Sequence, residues 1–169
     1  SSPTGESNHL FYASRGIILF LLSPDMNESD VVKNIFLSLV CGCAIILISD
    51  KHLSHMCSKI TKDFDVFGKG KKLVIYQDDS QIKSLIQNRN LLNIMMDNRL
   101  KISRYIREEF AKRKYGIHKI INPLDNSQEV TADWLLGLVL ERTKTENLVA
   151  SGGNTQLFNL SDDPNVIAV

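Results

Sequence analysis

GIILFLLSPDMNESDVVKNIFLSLVCGCAIILI, residues 16–48, spells strand, helix and strand in that order. Gly16 to Leu22 is an unbroken apolar run that stops at Ser23-Pro24-Asp25. Apolarity at successive positions predicts burial on both faces, and the run is too short for a core helix, so it reads as a buried strand. Asn27 then offers an N-cap, with Asp30 three residues on. Val31, Val32, Ile35, Phe36, Leu39 and Val40 recur at helical spacing, and Gly42 supplies the stop. Ala44-Ile45-Ile46-Leu47-Ile48 is a second buried strand. Two apolar strands joined by an amphipathic helix predict a parallel pair with a crossover connection.

The alternation continues outward from this unit. Leu53, Met56, Cys57 and Ile60 form the stripe of a second helix, and Leu73-Val74-Ile75-Tyr76 is a third strand. Ile82, Leu85 and Ile86 mark a short helix. Leu92-Asn93-Ile94-Met95-Met96 is a fourth strand, weakened by Asn93. A helix from about Arg99 to Lys114 turns Ile102, Ile106 and Phe110 inward, Gly116 ends it, and Ile117 to Ile121 is a fifth strand before Pro123. The class is therefore α/β: a Rossmann-like, five-stranded parallel sheet with helices on both faces and strand order 3-2-1-4-5. After Pro123 the pattern breaks. Leu136 to Leu160 predicts a C-terminal β-hairpin, or flap, with its turn at Ser151-Gly152-Gly153-Asn154. The expected organisation is a leading linker (1–15), a Rossmann-like domain (16–123), a flap (124–160) and a mobile tail (161–169). No internal repeat or low-complexity tract is present.

In 169 residues the apolar fraction is 43% and the charged fraction 23%, enough for one cored domain. Twenty basic against 19 acidic residues leave a net charge of +1, so no chain-wide attraction to nucleic acid or an anionic membrane exists. No apolar run approaches the roughly 18–20 residues of a membrane span. Cys41, Cys43 and Cys57 are too few and too clustered for a disulfide framework, and they predict reduced thiols in a cytoplasmic protein. The chain opens at Ser1-Ser2-Pro3-Thr4-Gly5 without methionine, signal peptide or presequence, as a piece cut from a longer polypeptide would.

Each candidate for chemistry meets a physical objection. Gly68-Lys69-Gly70 precedes a strand, whereas a phosphate cradle must follow one and open a helix. The turn that does follow the third strand, Asp78-Asp79-Ser80, repels anions. His52 and His55 lie off the apolar stripe of their helix, and His55 and Cys57 project about 160–200° apart, too far to share a metal ion. Cys41 and Cys43 sit at a helix C-terminus, where the dipole raises a thiol pKa. Arg99, Lys101, Arg104, Arg107, Lys112, Arg113 and Lys114 make one helix basic, but no base-reading motif accompanies them and a solvated outer face suffices. The residues predict no catalytic, cofactor-binding or metal-ligating set.

Two stretches resemble a known family. Thr4-Gly5-Glu6-Ser7-Asn8 with Ser14-Arg15-Gly16 looks like the linker into the last domain of long-form proline utilization A, a family of bifunctional flavoenzymes. Glu141 to Leu157, with its core Gly152-Gly153-Asn154-Thr155-Gln156-Leu157, looks like that family's C-terminal stretch. The middle resembles an aldehyde dehydrogenase cofactor domain that has lost its polar groups. Ser38 to Ile48 is similar to the segment whose lysine holds the adenosine ribose, and Ile48 falls at that lysine. The family's Pro-Trp-Asn falls near Pro24-Asp25-Met26, and its pyrophosphate-bordering Gly-Ser near Asp97-Asn98.

The resemblance implies a parent that oxidises proline to a pyrroline carboxylate with FAD and the derived semialdehyde to glutamate with NAD. It implies no cofactor and no catalysis in this domain, which would close the intermediate cavity against the dehydrogenase domain of the same chain. Leu138, Leu140, Gly152, Gly153, Asn154 and Leu157 are the expected flap residues, and a homodimer through the flap is a further expectation. The implied location is cytoplasmic, with the parent peripheral to the inner membrane and this domain binding no nucleic acid. Two other readings stand beside it: a small stand-alone Rossmann-like nucleotide-binding enzyme, and a nucleic-acid module acting through the Arg99–Lys114 helix.

Overall fold

A computed structural model describes residues 6–66, 73–76, 82–114 and 119–147. In chain order these form β1 (Glu6–Ser14), β2 (Ile17–Leu21), α1 (Glu28–Val40), β3 (Ala44–Ile48), a 3-10 turn (Lys51–Leu53), α2 (Ser54–Val66), β4 (Leu73–Tyr76), α3 (Ile82–Ile86), β5 (Leu91–Met96), α4 (Ser103–Ala111), β6 (Lys119–Ile121), α5 (Ala132–Leu136) and β7 (Val139–Asn147). The described residues fall into two compact units, one spanning Ala13–Leu140 and the other built from β1 up to Tyr12 with β7 from Glu141.

The larger unit is a five-stranded sheet in the order β4-β3-β2-β5-β6, every neighbouring pair parallel. This is the order 3-2-1-4-5 expected from the alternation of apolar runs. Side chains alternate across β2, so one run supplies two cores. Ile18 and Phe20 join Val31, Ile35, Ile45, Leu47, Cys57 and Ile60 on the face covered by α1 and α2. Leu19 and Leu21 join Ile82, Ile86, Ile94, Ile106 and Phe110 on the face covered by α3 and α4. Ile106 and Phe110 are almost fully buried, each contributing about 1.5–3 kcal/mol by leaving water.

Local signals place the ends of α1. Asn27 Oδ1 accepts from the Asp30 N–H at 2.9 Å. At the other end Gly42 takes φ +80°, the Cys43 N–H reaches the Ser38 carbonyl at 3.0 Å, and the Gly42 N–H reaches Leu39 at 2.9 Å. That double closure is the Schellman motif, which satisfies the last carbonyls and turns the chain into β3.

Three expectations need correction. Residues Glu6–Ser14, read as part of a linker, form β1. β1 pairs with β7 in a two-stranded sheet, so the first arm of the expected flap finds its described partner at the start of the chain. Thr145 Oγ1 donates to Asn8 Oδ1 at 2.6 Å and Tyr12 Oη to Glu141 Oε1 at 3.3 Å, a descending-against-ascending order that makes the ribbon antiparallel. Sequence periodicity finds strands but says little about which strands pair over long separations. The expected second arm and turn, including Gly152, Gly153, Asn154 and Leu157, lie outside the described residues, as do Gly68-Lys69-Gly70, Asp78-Asp79-Ser80 and the 161–169 tail. Finally, Leu138 is no exposed flap residue: it is fully buried in the α1/α2-side core of the larger unit, while Leu140 is half-buried.

Asn93, expected to weaken the fourth strand, sits fully buried in β5 and donates from Nδ2 to the Gly137 carbonyl at 3.2 Å. The irregularity lies one residue earlier, where the β2–β5 register shifts between Ile17 and Ile18.

Candidate functional site

In a parallel sheet wound in both directions, the carboxyl ends of the strands at the order reversal leave a crevice open. Here the reversal falls between β2 and β5. Ser23, Pro24 and Asp25 follow β2, and Asp97, Asn98 and Arg99 follow β5. Two clefts open there and share Asp25 and Arg99. One, about 410 Å³, is walled by Asp25, Asp30, Asp97, Asp125, Arg99 and the 122–124 loop. The other, about 550 Å³, runs toward Ile48, Ser49 and Asp50 at the end of β3.

The charges across the crevice are organised around Arg99. Its Nε donates to both Asp97 oxygens, at 3.1 and 2.9 Å, and its Nη2 lies 3.7 Å from Asp25 Oδ2. Hydrogen bonds from Arg99 hold the Asp97 carboxyl below its ordinary pKa. The Ser23 hydroxyl, donating at 2.5 Å, does the same for Asp25, and the Ser127 hydroxyl for Asp125. Asp30 differs from all three. It is only 7% exposed, and its Oδ1 has no hydrogen-bond partner among the described residues.

The N-terminus of α1 opens into the same crevice, the usual seat of a phosphate in such folds. Three features oppose an anion there. The Asp30 N–H is taken by Asn27, and Glu28 and Asp30 put carboxylates in the first turn. Asp97 and Asp125 add negative charge to the walls. At the position matched to the ribose-binding lysine, Ile48 is 3% exposed and packs in the α3/α4-side core. Met26 packs against the other core.

The remaining candidates are placed as follows. His52 and His55 are exposed and Cys57 is fully buried, so the three do not converge. Burial pushes the Cys41 and Cys57 thiols up, and Cys43 is enclosed with its Sγ 3.3 Å from the Leu138 carbonyl. Among the described residues no group of three His, Cys, Asp or Glu side chains could hold a metal ion. On the basic helix Arg104 pairs with Glu108 at 3.0 Å and Lys112 with Glu109 at 2.5 Å. Arg113 turns inward, donating to the Asn88 carbonyl at 2.8 Å and to the Leu91 carbonyl, with its guanidinium 5.1 Å from the Phe110 ring centre. Among the described residues no helix is long and apolar enough to cross a membrane.

Of the cleft residues, sequence reasoning singled out Arg99 as part of a basic helix, and Asp25, Met26, Asp97 and Asn98 only through the resemblance. Asp30 was visible as a partner in helix capping and Asp125 only as a residue beyond Pro123, where the pattern breaks, and nothing in their spacing unites them.

The sheet order, the two-sided helix cover and the crevice define a Rossmann-like, doubly wound α/β fold. Among solved structures the chain is similar to a Bradyrhizobium japonicum proline utilization A mutant, with a TM-score of 0.63 and 18% identity over 72% of this chain. It is similar to lactaldehyde dehydrogenase, with a TM-score of 0.59 and 18% identity over the same share. It is also similar to an NAD-dependent benzaldehyde dehydrogenase from Corynebacterium glutamicum, with a TM-score of 0.60 and 12% identity over 72%. At these identities the likeness is one of fold. The chain spans 13% of the proline utilization A structure, 26% of lactaldehyde dehydrogenase and 27% of the benzaldehyde dehydrogenase. No family model and no curated protein matches the sequence.

Proposed function

We propose that the chain is a non-catalytic, aldehyde-dehydrogenase-like domain of a bifunctional proline-catabolic protein of the proline utilization A type. In this reading the parent oxidises proline to glutamate through pyrroline-5-carboxylate, with FAD and NAD held in other domains. This domain binds neither cofactor. It supports the dehydrogenase domain of the same chain and closes the cavity through which the intermediate passes.

The observation that carries the non-catalytic part is the chemistry of the crevice. A dinucleotide needs hydrogen-bond donors at its ribose and free N–H groups or cations at its pyrophosphate. Ile48 offers no donor, and Asp25, Asp30, Asp97 and Asp125 line the wall where the phosphates would lie.

Two apolar surfaces support packing against a further domain. A groove of about 620 Å³ between α1 and α2 is lined by Val32, Phe36, Leu39, Val40, Ile60 and Phe64 with one carboxylate, Asp63, and Phe36 is 57% and Val40 68% exposed. On the β1–β7 ribbon Leu10, Phe11 and Tyr12 are exposed. A two-stranded ribbon is marginal alone and gains from a surface to lie on, whether the parent's dehydrogenase domain or a second copy.

Titration calorimetry with NAD tests the cofactor claim: a dissociation constant below about 1 mM for the 169-residue chain contradicts it. Removal of 148–169 from the parent tests the lid. The expected result is impaired glutamate formation with flavin-dependent proline oxidation nearly unchanged. Full coupled flux without a lag would reduce the domain to a passive remnant.

A further inference from the structure

We propose that the outer edge of β1 is a dimer interface: it pairs antiparallel with β1 of a second copy of this chain, centred on Leu10, to make one four-stranded sheet in the order β7-β1-β1-β7. The inference stands on the ribbon alone and does not rest on the role proposed above.

The register of the ribbon fixes which backbone groups are open for this. The Arg15 N–H donates to the Leu138 carbonyl at 3.2 Å, and the side-chain pairs Thr145–Asn8 and Tyr12–Glu141 fall in the same register. Opposed residues of an antiparallel pair alternate between those that exchange backbone bonds and those that do not, whose side chains come closer. Arg15 with Leu138 is of the first kind. Asn8 with Thr145 and Tyr12 with Glu141, joined through their side chains, are of the second. The N–H and C=O groups of Asn8, Leu10 and Tyr12 therefore point away from β7, and among the described residues no strand lies on that side. A row of open backbone groups is a template for another strand.

The side chains on the two edges say which strand it takes. Ser7 to Ser14 contains no Asp, Glu, Lys, Arg or Pro, so the charges and prolines that keep an edge solitary are missing. Leu10 is 61% and Tyr12 56% exposed, and Phe11 between them is exposed as well. Pairing about Leu10 sets Leu10 against its twin, Asn8 against Tyr12 and His9 against Phe11, and no like charges meet. The Leu10 pair and both Asn8–Tyr12 pairs exchange backbone hydrogen bonds in that register. Leu10 is also the middle of the nine-residue strand, so the overlap takes in its whole length.

β7 is the opposite case. Its residues include Glu141, Arg142, Lys144 and Glu146, with Thr143 in the middle. Two copies of β7 paired about Thr143 would oppose Arg142 to Lys144 on both sides of the axis, and like charges directly opposite destabilise a sheet. A β1 edge set on a β7 edge would leave one edge of each kind open and grow into a filament, whereas β1 on β1 closes at two copies with the charged β7 edges outermost.

The test uses the whole 169-residue chain. Sedimentation velocity between about 5 and 500 μM should show a monomer–dimer equilibrium without larger species. Leu10→Lys, at an exposed position, sets two ammonium groups face to face and should raise the dimer dissociation constant at least about tenfold. Thr143→Lys, opposite Leu10 within the ribbon, and Phe36→Glu, in the α1/α2 groove, should leave that constant unchanged. Equal weakening by Thr143→Lys would mean that ribbons pack face to face, and weakening by Phe36→Glu alone would move the interface to the groove; either overturns the proposal. So do an unchanged constant in Leu10→Lys, a chain still monomeric at about 500 μM, and open-ended growth. A disulfide reads the register. Twin residues at the axis have Cα atoms about 5.5 Å apart, within disulfide reach, so Leu10→Cys should cross-link under diamide well above the unsubstituted chain. Tyr12 lies four residues from the position opposite its twin, about 14 Å away, so Tyr12→Cys should not. Cross-linking of Tyr12→Cys as efficient as that of Leu10→Cys would overturn the pairing.

Discussion

Asn34 and Leu124 exchange two hydrogen bonds across 90 residues of sequence: the Leu124 N–H donates to Asn34 Oδ1 at 2.9 Å, and Asn34 Nδ2 donates to the Leu124 carbonyl at 2.7 Å. The same Nδ2 donates to the Asp30 carbonyl at 2.8 Å. Asn34 is fully buried on α1, so its amide imitates a strand partner for the loop after β6 and fixes one wall of the acidic cleft. That loop is held further by Trp134, whose indole donates to the Asn122 carbonyl at 2.9 Å.

Replacing Asn34 by Ala should therefore strip a buried N–H and a buried C=O of their partners. The expected loss is about 2–4 kcal/mol of stability, read from urea unfolding. A loss below about 0.5 kcal/mol would mean that the loop is held by other contacts.

Gly42→Ala should destabilise by about 1–2 kcal/mol, since φ is +80° there. The added Cβ would also sit 3.4 Å from Ser14 Cβ. A thermal melt equal to that of the unsubstituted chain would contradict the strain.

Leu138→Ala discriminates between core and flap. Full burial beside Ile121 predicts a loss of about 2–5 kcal/mol in the isolated chain, with no partner present. A residue that served only an interface would give almost no change in that measurement.

Acid should probe the Asp97–Arg99 contact. Arg99 holds the Asp97 pKa below its ordinary value in the folded state, so the contact's contribution is fully present above the unfolded pKa of about 3.9 and disappears as pH falls through the lower, folded value. Asp97→Asn should flatten the melting temperature against pH in that acid window. The contact is at the surface, so the change should be small and should shrink with added salt. A steep limb that survives the substitution unchanged would assign the acid sensitivity to other carboxylates.

Five strands, their order and their parallel sense were legible in residues 16–121 because each run is apolar at consecutive positions and each helix carries its own stripe and stop. Ile18 and Leu19 belong to opposite cores by the two-residue period of a strand alone. The Asn27 cap and the Gly42 stop are equally local, since their partners lie within a few residues. The pairing of β1 with β7 was not legible. Strand propensity is a property of a segment, whereas pairing is decided by which backbone edges the rest of the chain brings together, here more than 120 residues apart. Leu138 shows the same limit at one side chain: alternation assigned it a face, but packing against Ile121 and the other core residues buried it. The cleft is the extreme case. Asp25, Asp30, Asp97 and Asp125 are ordinary caps and turn residues along the sequence. Only the winding reversal between β2 and β5 gathers their charges on one wall, and charge, unlike propensity, acts through space.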